Sequence, residues 1–263
     1  MTNIYQEAFG ALHGGRVLDV ATGNGGFIQV LLDSLGGYTE IVGIDSTERV
    51  LASARQTFQR DNIRFAQMNA ERMNFADASF DTVCISNSLH HMANLPQVLA
   101  EMKRVLRPAG HFLINEMYRD GQTETQLSHV HLHHWWAAVD TAQGVTHHET
   151  FTRQQIADIA GQLGLHAIAF YDYASLEDDP KGADLIRELD GIIDRSIERT
   201  SGAPNEAVLR ARGEELRQRV HTVGFHSATA LVIVGEKSSP EYKLQLVMRS
   251  TQPEGGTPIC RRL

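Results

Sequence analysis

Apolar residues along this chain gather in short runs, and the runs alternate with stretches in which apolar positions recur every three or four residues. RVLDV (16–20), EIVGID (40–45), IRFAQM (63–68), FDTVCIS (80–86) and GHFLINEM (110–117) predict strands. FIQVLLDSL (27–35), ERVLASARQTF (48–58) and LPQVLAEMKRVL (95–106) carry helical spacing. LRPAG (106–110) ends the last of these, since Pro and Gly both stop helices. Strand, helix, strand repeated in this way predicts an α/β fold, a parallel sheet with helices on both faces. Right-handed crossovers then gather the strand ends along one edge, where ligands bind in such sheets.

Beyond residue 117 the pattern changes. Residues 123–142 read as a helix rich in His and Trp, and 152–165 as a second helix with Thr152 as N-cap. HAIAFYDY (166–173) and ATALVIVGEK (228–237) predict two further strands. Residues 180–222 read as two charged amphipathic helices broken near TSGAPN (200–205). Leu185, Leu189, Ile192, Ile193 and Ile197 share one face there, which serves either packing on the same domain or a dimer contact. The expected organisation is one domain over 1–237, with cap insertions at about 118–150 and 176–226, and a loosely attached tail over 238–263.

Composition narrows the function classes. The chain has 263 residues, 42% hydrophobic, enough for one large core. Its formal charge of −8 and the lack of a dense Lys/Arg run argue against nucleic acid. No stretch of 18 apolar residues occurs and the first residues form no leader, so no membrane partner is expected. Cys84 and Cys260 form no metal-type or redox-type pair, so a reducing cytoplasm is the simplest location.

The most informative stretch is VLDVATGNGGF (17–27). A dinucleotide fingerprint needs a third glycine where Ile28 stands. Asp19 also ends the strand where a pyrophosphate would approach, and a carboxylate repels phosphate and attracts a cation. Gly23 and Gly25 still permit close approach of a ligand to the backbone. Asp45 ends the second strand, where a carboxylate can take both ribose hydroxyls. Asp45 alone would suit NAD equally; the pair of acids favours a cationic nucleoside, S-adenosylmethionine.

On these residues the chain resembles the class I S-adenosylmethionine-dependent methyltransferases, and among them the ubiquinone/menaquinone-biosynthesis C-methyltransferase group. The resemblance covers roughly residues 15–117. VLDVATGNGG is similar to the family's D-x-G-x-G-x-G, with Ala21 replacing the first glycine, and implies cofactor contacts from Asp19, Ala21, Thr22, Gly23 and Gly25. GIDST implies Asp45 and Ser46; MNAERMNF implies Asn69 and Ala70, with Asn in place of the usual Asp. FDTVCISNSLHHM implies Asn87 and Leu89, and suggests that His90 or His91 borders cofactor or acceptor; a helix-start residue without chemistry is the alternative. The family also implies an N-terminal helix that closes over the cofactor, with Tyr5 near the methionine part; ordinary amphipathic packing is the alternative. The implied fold is a Rossmann-like seven-stranded, mostly parallel sheet with helices on both faces, an antiparallel last strand and helical cap insertions.

The expected reaction is methyl transfer from S-adenosylmethionine to a small organic acceptor, an aromatic one such as a phenol or quinol precursor being favoured by the Trp, His, Phe and Tyr outside the resemblance. A monomer or homodimer is expected. In-line transfer from sulfonium rests mainly on alignment, and a base matters only when the acceptor must lose a proton. His133 or His134 of the His-rich cap, or His90, is the expected base, with Trp135 or Trp136 as an apolar wall. His129 and His133 share a helix face, as do His131 and His134, and His147 and His148 follow. An i, i+4 pair can hold a metal, but with no Cys and no H-E-x-x-H nearby no metal ligand is assigned. Two alternatives stand: a non-catalytic S-adenosylmethionine-binding protein, and a metal-dependent enzyme using the His-rich helix.

Overall fold

The computed structural model describes residues 4–239, so most of the expected tail lies outside the described residues. Seven strands form one sheet: β1 (Arg16–Val20), β2 (Glu40–Asp45), β3 (Ile63–Gln67), β4 (Phe80–Ser86), β5 (Leu106–Met117), β6 (Leu165–Tyr173) and β7 (Ala230–Lys237). Their spatial order is β3-β2-β1-β4-β5-β7-β6. The first five are mutually parallel. β7 runs antiparallel between β5 and β6, in agreement with the expected antiparallel last strand.

Alternation along each strand explains the two faces. Leu18, Val83, Ile85, Phe112, Ile114 and Ile233 point to the side covered by α4 (Leu95–Val105) and α6 (Arg153–Gln162). Val17, Cys84, Leu113 and Val232 point to the side covered by α1 (Ile4–Phe9) and α2 (Gly26–Ser34). After β2, α3 (Glu48–Thr57) follows directly and buries Leu51 and Ala54. Asp19 belongs to the α1/α2 face by this alternation and is 1% exposed, a carboxylate inside an apolar layer.

β5 begins earlier than the pattern predicts, at Leu106 in place of Gly110. Leu106 already pairs with Phe80 on β4, and the register then shifts before Thr82 meets His111. Pro108, Ala109 (φ 57°) and Gly110 are absorbed as a bulge rather than ending the chain's approach to the sheet.

The cap is helical. α5 (Glu124–Ala142) starts with a capping box: Thr123 accepts from Gln126 N, and the Gln126 side chain accepts from Thr123 N. α7 (Ala183–Arg199) and α8 (Glu206–Val223) pair beside it. Leu132, Trp135 and Val139 of α5 pack with Leu189, Ile193, Ile197, Leu209, Leu216 and Val220. Leu185, Leu189, Ile193 and Ile197 of the α7 stripe thus pack against the same chain. Trp135 reaches α8 and donates from Nε1 to the Leu209 carbonyl at 2.8 Å. Among the described residues no helix is long and apolar enough to cross a membrane.

Candidate functional site

The adjacent tips of β3, β2, β1 and β4 carry most of the residues expected at the cofactor. After Val20 the chain turns sharply: Ala21 takes φ 54°, Gly23 φ 56° and Gly25 φ 88°. Thr22 N donates to the Ile44 carbonyl at 2.9 Å, which ties the turn to β2. A methyl group at Gly25 would strike the Phe58 ring at 2.5 Å, so that glycine is required by packing. At Gly23 the same methyl would meet nothing within 4 Å, so this backbone faces open space at the sheet edge. Ala21 carries a side chain in the left-handed region, where the family pattern has glycine.

The two carboxylates differ in environment. Asp19 accepts from Thr22 Oγ1 at 2.6 Å and lies 3.4 Å from Cys84 Sγ. Burial raises its pKa to about 6, against the lowering effect of the Thr22 and Cys84 hydrogen bonds; Asp45 adds a smaller repulsion. Asp45 sits at the rim, its Oδ2 accepting from Gly23 N at 3.1 Å and its Oδ1 from Thr47 N at 2.9 Å. A buried acid whose proton is held up towards neutrality is unsatisfied chemistry: a cation placed beside it would favour the charged form. The donor set suits a sulfonium nucleoside with an ammonium group, and not a diphosphate.

The remaining expected cofactor contacts divide. Ser46 is exposed beside Asp45. Asn69 is exposed at the tip of β3, with its side-chain oxygen accepting from Glu71 N at 2.8 Å, and half-buried Ala70 follows it. Asn87 takes φ 43° after β4 and accepts from Met117 N at 2.9 Å through its side chain. Leu89 is 1% exposed and packs in the core. Tyr5 closes over the edge from α1: its hydroxyl donates to Asn115 Oδ1 at 3.1 Å, and its ring lies 4.5 Å from that of Tyr173. Asn115 Nδ2 in turn donates to Ser86 Oγ at 2.8 Å, so Tyr5 is linked to the tips of β4 and β5.

The histidines sort by helix geometry. Adjacent residues on a helix point about 100° apart, so His133 and His134 face different surroundings. His134 Nε2 bonds Thr150 Oγ1 at 2.9 Å, and its Nδ1 lies 3.9 Å from Glu149. His133 turns inward to His90, 4.6 Å between ring centroids. His90 sits in a single 3₁₀ turn (Leu89–His91) that leaves the tip of β4. His91 and His147 join the same group, at 4.1 Å from each other and 4.4 Å and 5.5 Å from His90. His129 lies 6.2 Å from His133 but is engaged elsewhere, its Nδ1 accepting from Ala228 N at 2.9 Å.

Two carboxylates orient this group. His90 Nδ1 pairs with Glu116 Oε1, and Glu116 Oε2 accepts from Ser88 N at 3.0 Å and Leu89 N at 3.1 Å. His147 Nδ1 bonds Asp140 Oδ2 at 2.6 Å, and Asp140 also pairs with Arg199. Burial, followed by the neighbouring imidazoles, holds His133 far below the ordinary histidine range, and burial pushes His129 down to about 4. Trp136, with its ring 6.3 Å from His133, is the tryptophan beside the group; Trp135 faces the cap core. A cleft of about 640 Å³ opens alongside, lined by His134, His147, His148, Glu149 and small residues of α5.

Sequence reasoning gave Glu116 and Asp140 no role and left His91 and His147 without a committed one. The doublets in LHHM and THHE and the acid in INEM are the available signals, yet only the fold shows that they meet.

A family model described as a methyltransferase domain matches residues 12–162. The ubiquinone/menaquinone biosynthesis C-methyltransferase UbiE of Stutzerimonas stutzeri is 34% identical over 114 residues, 42% of this chain and 44% of that protein. A demethylmenaquinone methyltransferase of Deinococcus radiodurans is 42% identical over 103 residues, 38% of this chain and 42% of that protein. The chain spans less than half the length of these curated relatives. Among solved structures, a Haemonchus contortus phosphoethanolamine N-methyltransferase 2 in complex with S-adenosyl-L-methionine superposes with TM-score 0.54 at 19% identity, covering 90% of this chain and 52% of that one. That likeness is one of fold.

Proposed function

Because the chain belongs to the methyltransferase-domain family, a group of S-adenosylmethionine-dependent enzymes, we propose that it transfers a methyl group to a small organic acceptor carrying an ionisable oxygen, such as a phenol or quinol precursor. The observation that carries the reading is the pair of acids around an open glycine turn: Asp19 buried below the turn, and Asp45 bonded to the Gly23 amide. In this reading Asp45 takes the ribose hydroxyls, Ser46, Asn69 and Ala70 border the adenine, and Ala21, Thr22, Gly23, Gly25 and Asn87 shape the backbone around the nucleoside. Tyr5 covers the methionine part. Leu89, buried behind the tip of β4, borders the nucleoside from the core side.

The bound cofactor supplies an activated methyl group. The chain's own residues align the acceptor, exclude water and manage its proton. Alignment of two bound reactants removes on the order of 7–11 kcal/mol of barrier. His90 is the best prepared proton acceptor of the three expected, since Glu116 fixes one ring nitrogen and the other has no partner among the described residues. His133 stands beside it, whereas His134 belongs to the cleft wall. The quinone chemistry in the relatives' names and the aromatic Trp136 support an aromatic acceptor.

Calorimetry with S-adenosylmethionine, S-adenosylhomocysteine and NADH tests the cofactor; a labelled-methyl screen over quinols, phenols, amines and thiols tests the acceptor. Tight NADH binding with no uptake of the methyl donor overturns the reading. Donor binding without turnover on any acceptor favours a non-catalytic binding protein.

A further inference from the structure

We propose that His90, His133 and His147, with His91 as a fourth donor, form a binding site for a divalent first-row transition metal ion, zinc being the natural match for an all-imidazole donor set. The four side chains offer ligand atoms that all lie within 4.8 Å of one another. A tetrahedral ion with metal–nitrogen bonds of about 2.1 Å needs donors about 3.4 Å apart. Binding draws the donors together by at most about 1.4 Å.

Three observations point to an ion and away from a mere stack of rings. First, His90 Nε2, His133 Nδ1 and His147 Nε2 are buried and have no hydrogen-bond partner among the described residues. Leaving three such atoms unpaired in one place is costly, and ring stacking does not satisfy them. Second, the opposite nitrogens of His90 and His147 are held by Glu116 and Asp140. A carboxylate behind a histidine is the arrangement that fixes the ring and aims its lone pair at a metal. Third, the supports are themselves anchored: Glu116 by two backbone amides, Asp140 by Arg199, and the His147 loop by His148 N donating to the His90 carbonyl at 2.8 Å. The cleft beside His147 gives an ion a way in.

The sequence pointed elsewhere, to the i, i+4 pair His129/His133, and assigned no ligand. In the fold only His133 of that helix joins the group, and its partners come from the turn after β4 and the loop after α5. The three buried donors match sites with three protein ligands and one exchangeable position, which the more exposed His91 holds until another ligand displaces it. In terms of the methyl-transfer reading, on which this last point rests, that position takes the acceptor's oxygen and lowers its pKa, in place of a free imidazole base.

The test uses the full chain, stripped with chelator and dialysed against zinc or cobalt(II). The expected result is about one ion per chain. X-ray absorption of the zinc form should require at least three imidazoles, and cobalt(II) should give the intense visible bands of a tetrahedral site. His133→Ala and His147→Ala should each weaken zinc binding by more than about 100-fold, and Asp140→Asn by roughly 10- to 100-fold. His131→Ala should leave it unchanged. Absence of zinc uptake by the wild type, or wild-type affinity in both histidine variants, overturns the proposal. If those variants fail to fold, the imidazole count in the wild type decides: fewer than three overturns it. Calorimetry of the metal-free chain with S-adenosylmethionine separates the two readings, because donor binding without zinc uptake sinks only the metal site, and zinc uptake without donor binding sinks only the methyltransferase assignment.

Discussion

Replacing Asp19 with asparagine (Asp19→Asn) removes a charge that the fold buries at its own cost. The side chain is isosteric, and its oxygen still accepts a hydrogen bond from Thr22 or Cys84. In the native state burial raises the Asp19 pKa from 3.8 to about 6. The folded protein therefore holds this proton more tightly than the unfolded chain does. Stability linked to Asp19 is complete below about pH 4 and lost as pH rises through 6. The shift of about two units corresponds to roughly 3 kcal/mol at neutral pH, and to about 1 kcal/mol at pH 4.5. The Asp19→Asn variant carries no such penalty. It should be more stable than wild type by up to about 3 kcal/mol at pH 7.5, roughly 6–12 °C in Tm for a chain of this size, and the gap should shrink towards zero below about pH 4. At the same time its affinity for S-adenosylmethionine should fall by about 10- to 1000-fold, the equivalent of the one to three units by which a cation stabilises an adjacent carboxylate. Denaturant titrations at pH 7.5, 6 and 4.5, with calorimetry at pH 7.5, measure both. An Asp19→Asn variant that is no more stable at pH 7.5, or a gap independent of pH, refutes the reasoning about the buried acid; unchanged donor affinity refutes its role at the cofactor.

Ala21→Gly should stabilise the turn by about 1 kcal/mol, since a left-handed alanine costs about that much, with donor affinity retained; chemical denaturation checks it. Tyr5→Phe removes the hydroxyl that donates to Asn115; about 1 kcal/mol of stability should be lost, and the donor KM should rise. Gly213→Ala places a methyl 2.5 Å from the Trp135 ring; despite alanine's better helix propensity, overpacking should cost about 1–3 kcal/mol, visible as a lower Tm. Trp135→Ala opens a cavity between α5 and α8 and removes the indole N–H that donates to the Leu209 carbonyl; a loss of about 3–5 kcal/mol is expected in denaturant titration, with cofactor affinity retained in calorimetry.

Strands β1, β2 and β4 were legible residue for residue, because each is a short apolar run closed by an acid, a turn or a glycine. Thr152 was legible as an N-cap, whereas the fold adds that Thr123 is one too and that both close capping boxes with Gln three positions later. The start of β5 was hidden, since Pro108 and Gly110 read locally as a stop and only pairing with Phe80 draws Leu106 into the sheet. The cofactor edge was legible because its residues occupy strand ends, which sequence order alone brings together. The histidine group was not. His90, His133 and His147 come from three segments joined by tertiary packing, and Glu116 and Asp140 look in sequence like any strand-end or helix acid. His133 and His134 stood as alternatives in sequence, on different helix faces; the fold turns His133 towards His90 and His134 towards Thr150.

The position of β7 has a consequence for synthesis. The strand nearest the carboxyl end of the sheet fills a slot between two strands made well before it. Until it emerges from the ribosome, β5 presents an open edge and β6 has no neighbour to zip onto. Ribosome-held chains ending near residue 225 should therefore bind chaperones and be easily cleaved, and protection should appear abruptly when residues 230–237 clear the exit tunnel.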